Sequence, residues 1–536
     1  MFPCKLWRAV LACACALALL AALSAPVAAA SATQQAIIED DSALAANPVA
    51  TLAQMRALGA TRVRIFVTWS AFAPHPNWGR RPRFDAANPA AYPRSAWYLL
   101  DEEVRLATAD HLGVYLVLTG PAPRWAQGPG APASEPFGRS VWDPNALDFG
   151  AFVKAIGTRY DGHYTPPGQR SPLPAVRFWS LWNEPNYGYN LAPQSAGSAI
   201  QRSAAIYRSL LAHGYAALRA SGHRHDTILF GELAPHGQAN GGNFAGVAPL
   251  LFLRALYCVN GSFRQLRGAL AKANGCPTSA AGSRRFRADN PALFYASGLA
   301  AHLYAQGTPP NRSLNDPCVR GQDRADYADL GDVGKLELTL DRLQRVYGSR
   351  RRMPIYNTEY GYQTHPPQPR SCAANSLPVS IATAAYYINW AEYISYRDPQ
   401  IESYAQYLLA DPPKGNFDSG LEFSNGRPKR PLFGAYMLPL YMPTTRVRRP
   451  SRLLVWGAVR PWWAARQLSS PPAALLQFQA GHRGRWQTLA TITRVNPSGY
   501  FELRLRFVRS GSLRLLWHNP LVNRTYSSRT IGVEVR

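Results

Sequence analysis

From residue 34 onward, short runs rich in branched and aromatic apolar residues alternate with longer stretches whose apolar positions recur every three or four residues. The short runs predict strands at Gln35 to Glu39, Arg62 to Trp69, Val114 to Thr119, Val176 to Trp182, Thr227 to Glu232, Gly298 to Tyr304, Pro354 to Glu359 and Ile401 to Leu408. The longer stretches predict helices at Pro48 to Leu58, Ser95 to His111, Leu147 to Tyr160, Ala199 to Ser221, Leu330 to Tyr347, Ser380 to Tyr396 and Pro431 to Leu440. After Pro443 the period changes to two. In YFELRLRF, Phe501, Leu503, Leu505 and Phe507 share one face while Glu502, Arg504 and Arg506 share the other.

Eight strands, nearly all followed by a helix, point to an α/β protein with a closed (β/α)8 TIM barrel over residues 34–442. A doubly wound open sheet is the alternative, but no glycine-rich phosphate loop follows the first strand. The alternating runs of residues 443–536 predict a small β-sandwich. A chain of 536 residues, 47% hydrophobic, is long enough for one large core and a second, smaller one.

The start of the chain changes the picture of where the protein works. Lys5 and Arg8 precede the apolar run Ala9 to Leu23, and small residues ending in Ala28-Ala29-Ala30 follow. Residues 1–30 therefore read as a signal peptide, cleaved after Ala30 or Ala32, and predict a secreted or cell-wall-associated protein without a stable membrane span. Removing the leader leaves Cys258, Cys276, Cys318 and Cys372. An even number in an exported chain predicts disulfides; of the three possible pairings, proximity favours Cys258 with Cys276, leaving Cys318 with Cys372. Their spacing resembles no zinc site.

The formal charge is +26, and sixteen arginines lie after Pro443 against only Glu502 and Glu534. Such a face can attract anionic polymers, but a compositional enrichment in alanine and arginine, with the arginines on solvated strand faces, is the better account of it. No nucleic-acid partner is expected.

Two carboxylates sit where a barrel displays its chemistry, at the C-terminal ends of strands. Glu184 closes the fourth strand in SLWNEPN, and Glu359 closes the seventh in MPIYNTEYG. Across a barrel mouth, such a pair suits glycoside cleavage: one group protonates the leaving oxygen and the other attacks or supports the anomeric carbon.

On these motifs the chain resembles the retaining glycoside hydrolases of clan A, the cellulase-like barrels that include families 5 and 39. The resemblance implies Glu184 of Asn183-Glu184-Pro185 as acid/base and Glu359 as nucleophile. It also matches Arg64 in RVRIF to the arginine supporting the nucleophile, and His302 and Tyr304 in AHLY to the strand-six pair beside it. Asn183 is expected to bind the sugar 2-hydroxyl. Trp125 in TGPAPRWA and Tyr407 (or Gln406) in ESYAQYLLAD are expected to contact sugar, since the tryptophan common on strand eight is absent. An apolar wall is expected around Glu184. The implied partner is a polysaccharide or oligosaccharide substrate, handled by a monomer without metal or cofactor.

A reading from another class remains open: a non-catalytic wall or polysaccharide-binding protein on a barrel scaffold, adhering through its basic C-terminal module.

Overall fold

The computed structural model describes residues 34–536 apart from 136–137, 320–322, 373–375, 462, 465–473, 482–483 and 521. The predicted signal peptide lies outside the described residues.

Eight parallel strands close into a barrel: β1 (Gln35–Glu39), β2 (Arg62–Thr68), β3 (Gly113–Thr119), β4 (Phe178–Leu181), β5 (Thr227–Leu233), β6 (Gly298–His302), β7 (Ile355–Glu359) and β8 (Ile401–Tyr407). Each strand pairs with its sequence neighbours, and β1 closes the ring against β8. Period two sorts the side chains. Ile37, Tyr115, Val117, Phe178, Leu229, Ala300, Tyr356 and Ala405 form a packed plug inside the barrel, large rings set against small alanines. The alternate positions, such as Val63, Ile65, Leu116 and Leu118, pack outward with the helices in the main core.

Polar side chains start the helices by satisfying free N–H groups at their first turns. Asn145 accepts from the N–H of Asp148, and Ser380 from that of Thr383. The segment between β5 and β6, where no helix is predicted, holds four short ones: Pro249–Leu256, Gly268–Ala273, Ala280–Asp289 and Pro291–Tyr295. Prolines and glycines break it too often for a helical period to emerge. The Cys258–Cys276 disulfide fastens it. Arg208 of the helix Arg202–Ala220 holds it from below, donating to the carbonyls of Ala255, Leu256, Asn274 and Gly275. The second disulfide, Cys318–Cys372, ties the loop after β6 to the loop after β7.

The C-terminal strands form two sheets. Ser451–Ala458 pairs with Tyr500–Phe507 and with Leu440–Tyr441, while Gly511–Asn519 centres a six-stranded sheet. Phe478 meets Phe507 between them, with ring centroids 5.6 Å apart. The strands Leu440–Tyr441, Arg446–Val447 and Arg524–Ser527 are too short to show alternation in sequence. The outer face of the three-stranded sheet has two characters. Trp456, Ala458 and Tyr500 pack on helix Ile381–Arg397 through Tyr396, Tyr393 and Trp390, whereas Arg452, Arg504 and Arg506 beyond them are exposed. A buried knot seals the seam. Arg460 contacts Glu392, which accepts from the Tyr500 hydroxyl at 2.7 Å, and Tyr500 reaches Gln34 at the foot of β1. Among the described residues no helix is long and apolar enough to cross a membrane.

Candidate active site

Alternation along β2 turns Arg64 into the barrel between the outward Val63 and Ile65, at the level where the strands end. There it is fully buried and holds four groups. Its Nη1 donates to Glu359 Oε1 at 2.8 Å and contacts Glu39; its Nη2 donates to Asn183 Oδ1 at 3.1 Å and to Glu232 Oε2 at 3.0 Å. Glu359 Oε2 accepts from the Tyr304 hydroxyl at 3.0 Å, so both of its oxygens are fixed.

His302 spans the remaining gap. Its Nδ1 faces Glu184 Oε1 at 2.9 Å, and its Nε2 faces Glu232 Oε2 at 2.8 Å and Glu359 Oε1 at 3.3 Å. Asn190 donates to the second oxygen of Glu184 at 3.2 Å. The expected apolar wall around Glu184 is therefore replaced by an imidazole and an amide. Carboxylate oxygens of Glu184 and Glu359 lie within 4.8 Å of each other, and a His302 nitrogen lies within the same distance of both.

The electrostatics follow from burial and charge together. Burial works against the His302 cation, yet Glu359, Glu184 and Glu232 push its pKa up to about 10. Both ring nitrogens are therefore donors at neutral pH. A metal ion at the Glu184, His302 and Glu359 cluster would have to displace a proton from that ring. Burial alone would raise Glu232, but Arg64 and the hydrogen bond from His302 hold it well below the usual carboxylate range. Glu39 goes the other way: burial lifts it well above that range against the pull of Arg64. Glu232 and Glu359 thus both face the Arg64 guanidinium and the His302 ring. Glu184, 19% exposed against 8% for Glu359, is the carboxyl best placed to exchange a proton with a ligand.

The backbone is bent to make this arrangement. Trp182, Glu184 and Glu232 all have left-handed φ, at +71°, +41° and +48°, a conformation that costs a non-glycine residue energy and clusters at functional sites. Glu232 follows a register shift at Gly231, whose φ is +107° and where a Cβ would come within 2.6 Å of the Ala300 carbonyl. This bulge re-aims Glu232 inward, where strict alternation after Leu229 would turn it out. Tyr115 and Thr358 also donate to it. A second shift, between Ala301 and His302 on β6, brings His302 opposite Glu359.

Above this cluster opens a chamber of about 1130 Å³ lined by Asn183, Glu184, Tyr304, Glu359 and Tyr407, with Tyr187 and Tyr189 stacked on one side and Phe417 on the other. Its volume exceeds that of common small-molecule sites and admits more than one sugar ring. Tyr407 meets Tyr304 edge-on, centroids 6.2 Å apart. Gln406 instead turns to the carbonyls of Leu408 and Ser419. Trp125 does not reach the chamber. It is 8% exposed, donates to the Pro74 carbonyl and packs edge-on against Trp69, so the proline-rich end of β3 places it in the core. Cys318 stands on the rim, where its disulfide fastens the β6 loop. Glu232, which ends the fifth predicted strand and suits either a hydrogen bond to substrate or a structural ion pair on that ground, makes the ion pair with Arg64, and Glu39 at the end of β1 completes the cluster beyond the residues assigned from sequence.

No family model matches this sequence, and no curated protein does. Several solved structures have similar folds. A family 39 glycoside hydrolase from Bacteroides cellulosilyticus WH2 is 13% identical, with a TM-score of 0.44 over 89% of this chain and 81% of that one. A glucosidase from Croceicoccus marinus is 12% identical (TM-score 0.41; 85% and 77% covered), as is a family 1 β-glucosidase from Thermotoga maritima (0.40; 69% and 80%). None of the three reaches a TM-score of 0.5, and no residue role is carried over from them.

Proposed function

We propose that the protein is an exported retaining glycoside hydrolase that cleaves O-glycosidic bonds of a polysaccharide or oligosaccharide by double displacement. The observation that carries this reading is the spacing of Glu184 and Glu359. Oxygens within 4.8 Å of each other suit the separation of about 5 to 5.5 Å used for covalent catalysis better than the about 6.5 to 9.5 Å used for inversion.

In the first step a Glu359 oxygen attacks the anomeric carbon while Glu184 passes its proton to the leaving oxygen. The glycosidic bond breaks and an ester to Glu359 forms. Glu184, now ionised, takes a proton from water, which attacks the same carbon and releases Glu359. Arg64 and Tyr304 keep the nucleophile aimed through one hydrogen bond to each oxygen. Asn183 has its amide oxygen held by Arg64, which directs its N–H donors to the chamber and a sugar 2-hydroxyl.

The test is reducing-end release across neutral and acidic glycans, with proton NMR of the first-formed product. The expected result is turnover with the anomeric configuration of the substrate kept. First-formed product of inverted configuration would sink the mechanism, and no release from any glycan would sink the activity. A compatible second role, retention on an anionic polymer, is supported by the exposed cross-strand pair of Arg452 and Arg506, two like charges side by side.

A further inference from the structure

Besides Glu184 and Glu359, the chamber is lined by two more carboxyl groups, Asp41 and Glu103. Asp41 opens the short helix after β1, and its Oδ1 accepts from the Phe66 N–H at 3.3 Å. Glu103 comes from helix Tyr98–Ala109 and is only 4% exposed. Among the described residues no hydrogen bond or ion pair reaches the Glu103 carboxyl, and no ion pair reaches Asp41. This is notable in a chain with 58 lysines and arginines against 32 acidic residues, where a cation is the commoner neighbour.

Burial is the main force on both groups, lifting Asp41 to about 7 and Glu103 to about 8. The Phe66 N–H and the more distant Arg64 pull back on Asp41, Asp40 and Glu359 push it up, and Asp41 pushes Glu103 up in turn. Three carboxyls thus stand in electrical contact, running from the nucleophile into one side of the chamber. Ala45, Ile65, Phe66 and Leu99 supply apolar walls beside them. A sugar hydroxyl offers such a pair one proton and no charge. An ammonium offers three N–H donors and the missing positive charge.

We propose that Asp41 and Glu103 form a pocket for the protonated amino group of a hexosamine unit, so that the preferred glycan carries a free, un-acetylated amino sugar beside the bond cleaved. The inference rests on the glycosidase reading of the same chamber. A bound ammonium favours the ionised forms of a pair that burial otherwise keeps largely protonated at pH 7, so its binding releases a proton to solvent; the net charge of +26 is screened by salt over about 8 Å.

Binding to the Glu359→Gln protein, which does not consume its ligand, is measured at pH 7 by calorimetry. The probes are glucosamine and galactosamine oligosaccharides and their N-acetylated counterparts. At least one free-amine form is expected to bind about tenfold or more tightly than its acetylated counterpart, the equivalent of one charge-assisted hydrogen bond. Adding Asp41→Asn and Glu103→Gln is expected to erase that preference, with thermal unfolding confirming a kept fold. Equal or weaker binding of the free amines, no binding of either form, or a preference that survives both substitutions overturns the proposal. Failure of the glycosidase reading looks different: the wild type would release no reducing ends while the amine preference persisted.

Discussion

Glu359→Gln is expected to lower kcat by about 10⁴-fold or more while leaving substrate affinity within a few-fold, because it removes the attacking oxygen and little else. The amide keeps the volume of the carboxylate, and its oxygen still accepts from Arg64, whose donor lies 2.8 Å away. What is lost is the negative charge and the electron pair that form the ester. Steady-state kinetics with calorimetric binding separates the two. A loss of affinity as large as the loss of rate would show that the substitution disturbs the site instead of the chemistry. Glu184→Ala makes the complementary case. Without the proton donor, kcat for ordinary glycosides should fall by about 10² to 10⁴. The bond-breaking step should be nearly untouched for a dinitrophenyl glycoside, whose leaving group needs no proton. Equal damage to both substrates would remove Glu184 from that role.

Arg64→Met should be the most destabilising single change in the barrel, costing about 3 to 5 kcal/mol in urea denaturation, since it strands buried carboxylates without their cation. Glu232 is fully buried and Glu359 nearly so, and both are bonded to this guanidinium. The same cluster fixes the pH profile. Glu232 titrates below its ordinary value of 4.5, so its contribution is present above that pH and lost as acid reaches the folded value. His302 is raised from 6.5 to about 10, so its contribution is complete below 6.5 and disappears as pH climbs through 10. Stability should therefore hold from the acid limb up to about pH 6.5 and decline from there to about 10, and His302→Gln should flatten the alkaline limb. A wild-type profile flat to pH 10 would contradict a cationic His302.

The barrel is legible in the sequence because each strand is short, branched and flanked by turn residues, and because the chain repeats the unit eight times. The convergence of Asn183, Glu184, His302, Tyr304 and Glu359 is legible for a related reason: each lies at or near a strand's C-terminal end, and closure brings those ends together, while Arg64, third of the seven residues of β2, reaches them with its long side chain. What escapes the sequence is whatever depends on a local break in that regularity. Glu232 turns inward only because Gly231 shifts the register. Trp125 occupies a stretch whose rings compete for core and chamber, and the core wins through Trp69. The polar surroundings of Glu184 come from Asn190 and His302, residues on two different loops and strands whose meeting no spacing reveals.

The seam between barrel and sandwich lies where β1 begins and along helix Ile381–Arg397, and among the described residues no chamber-lining group comes from beyond Phe417. The molecule is thus polar in the mechanical sense, with an arginine-bearing foot at one end and an open mouth at the other. A cation exchanger, or any anionic matrix, should grip it by Arg452, Arg504 and Arg506 and leave the chamber facing the liquid. Clipping that foot is no clean truncation: it would uncover Trp390 and Tyr393 and leave Glu392 buried without its arginine. Anyone wishing to fasten this protein to a bead should do so by the foot, not remove it.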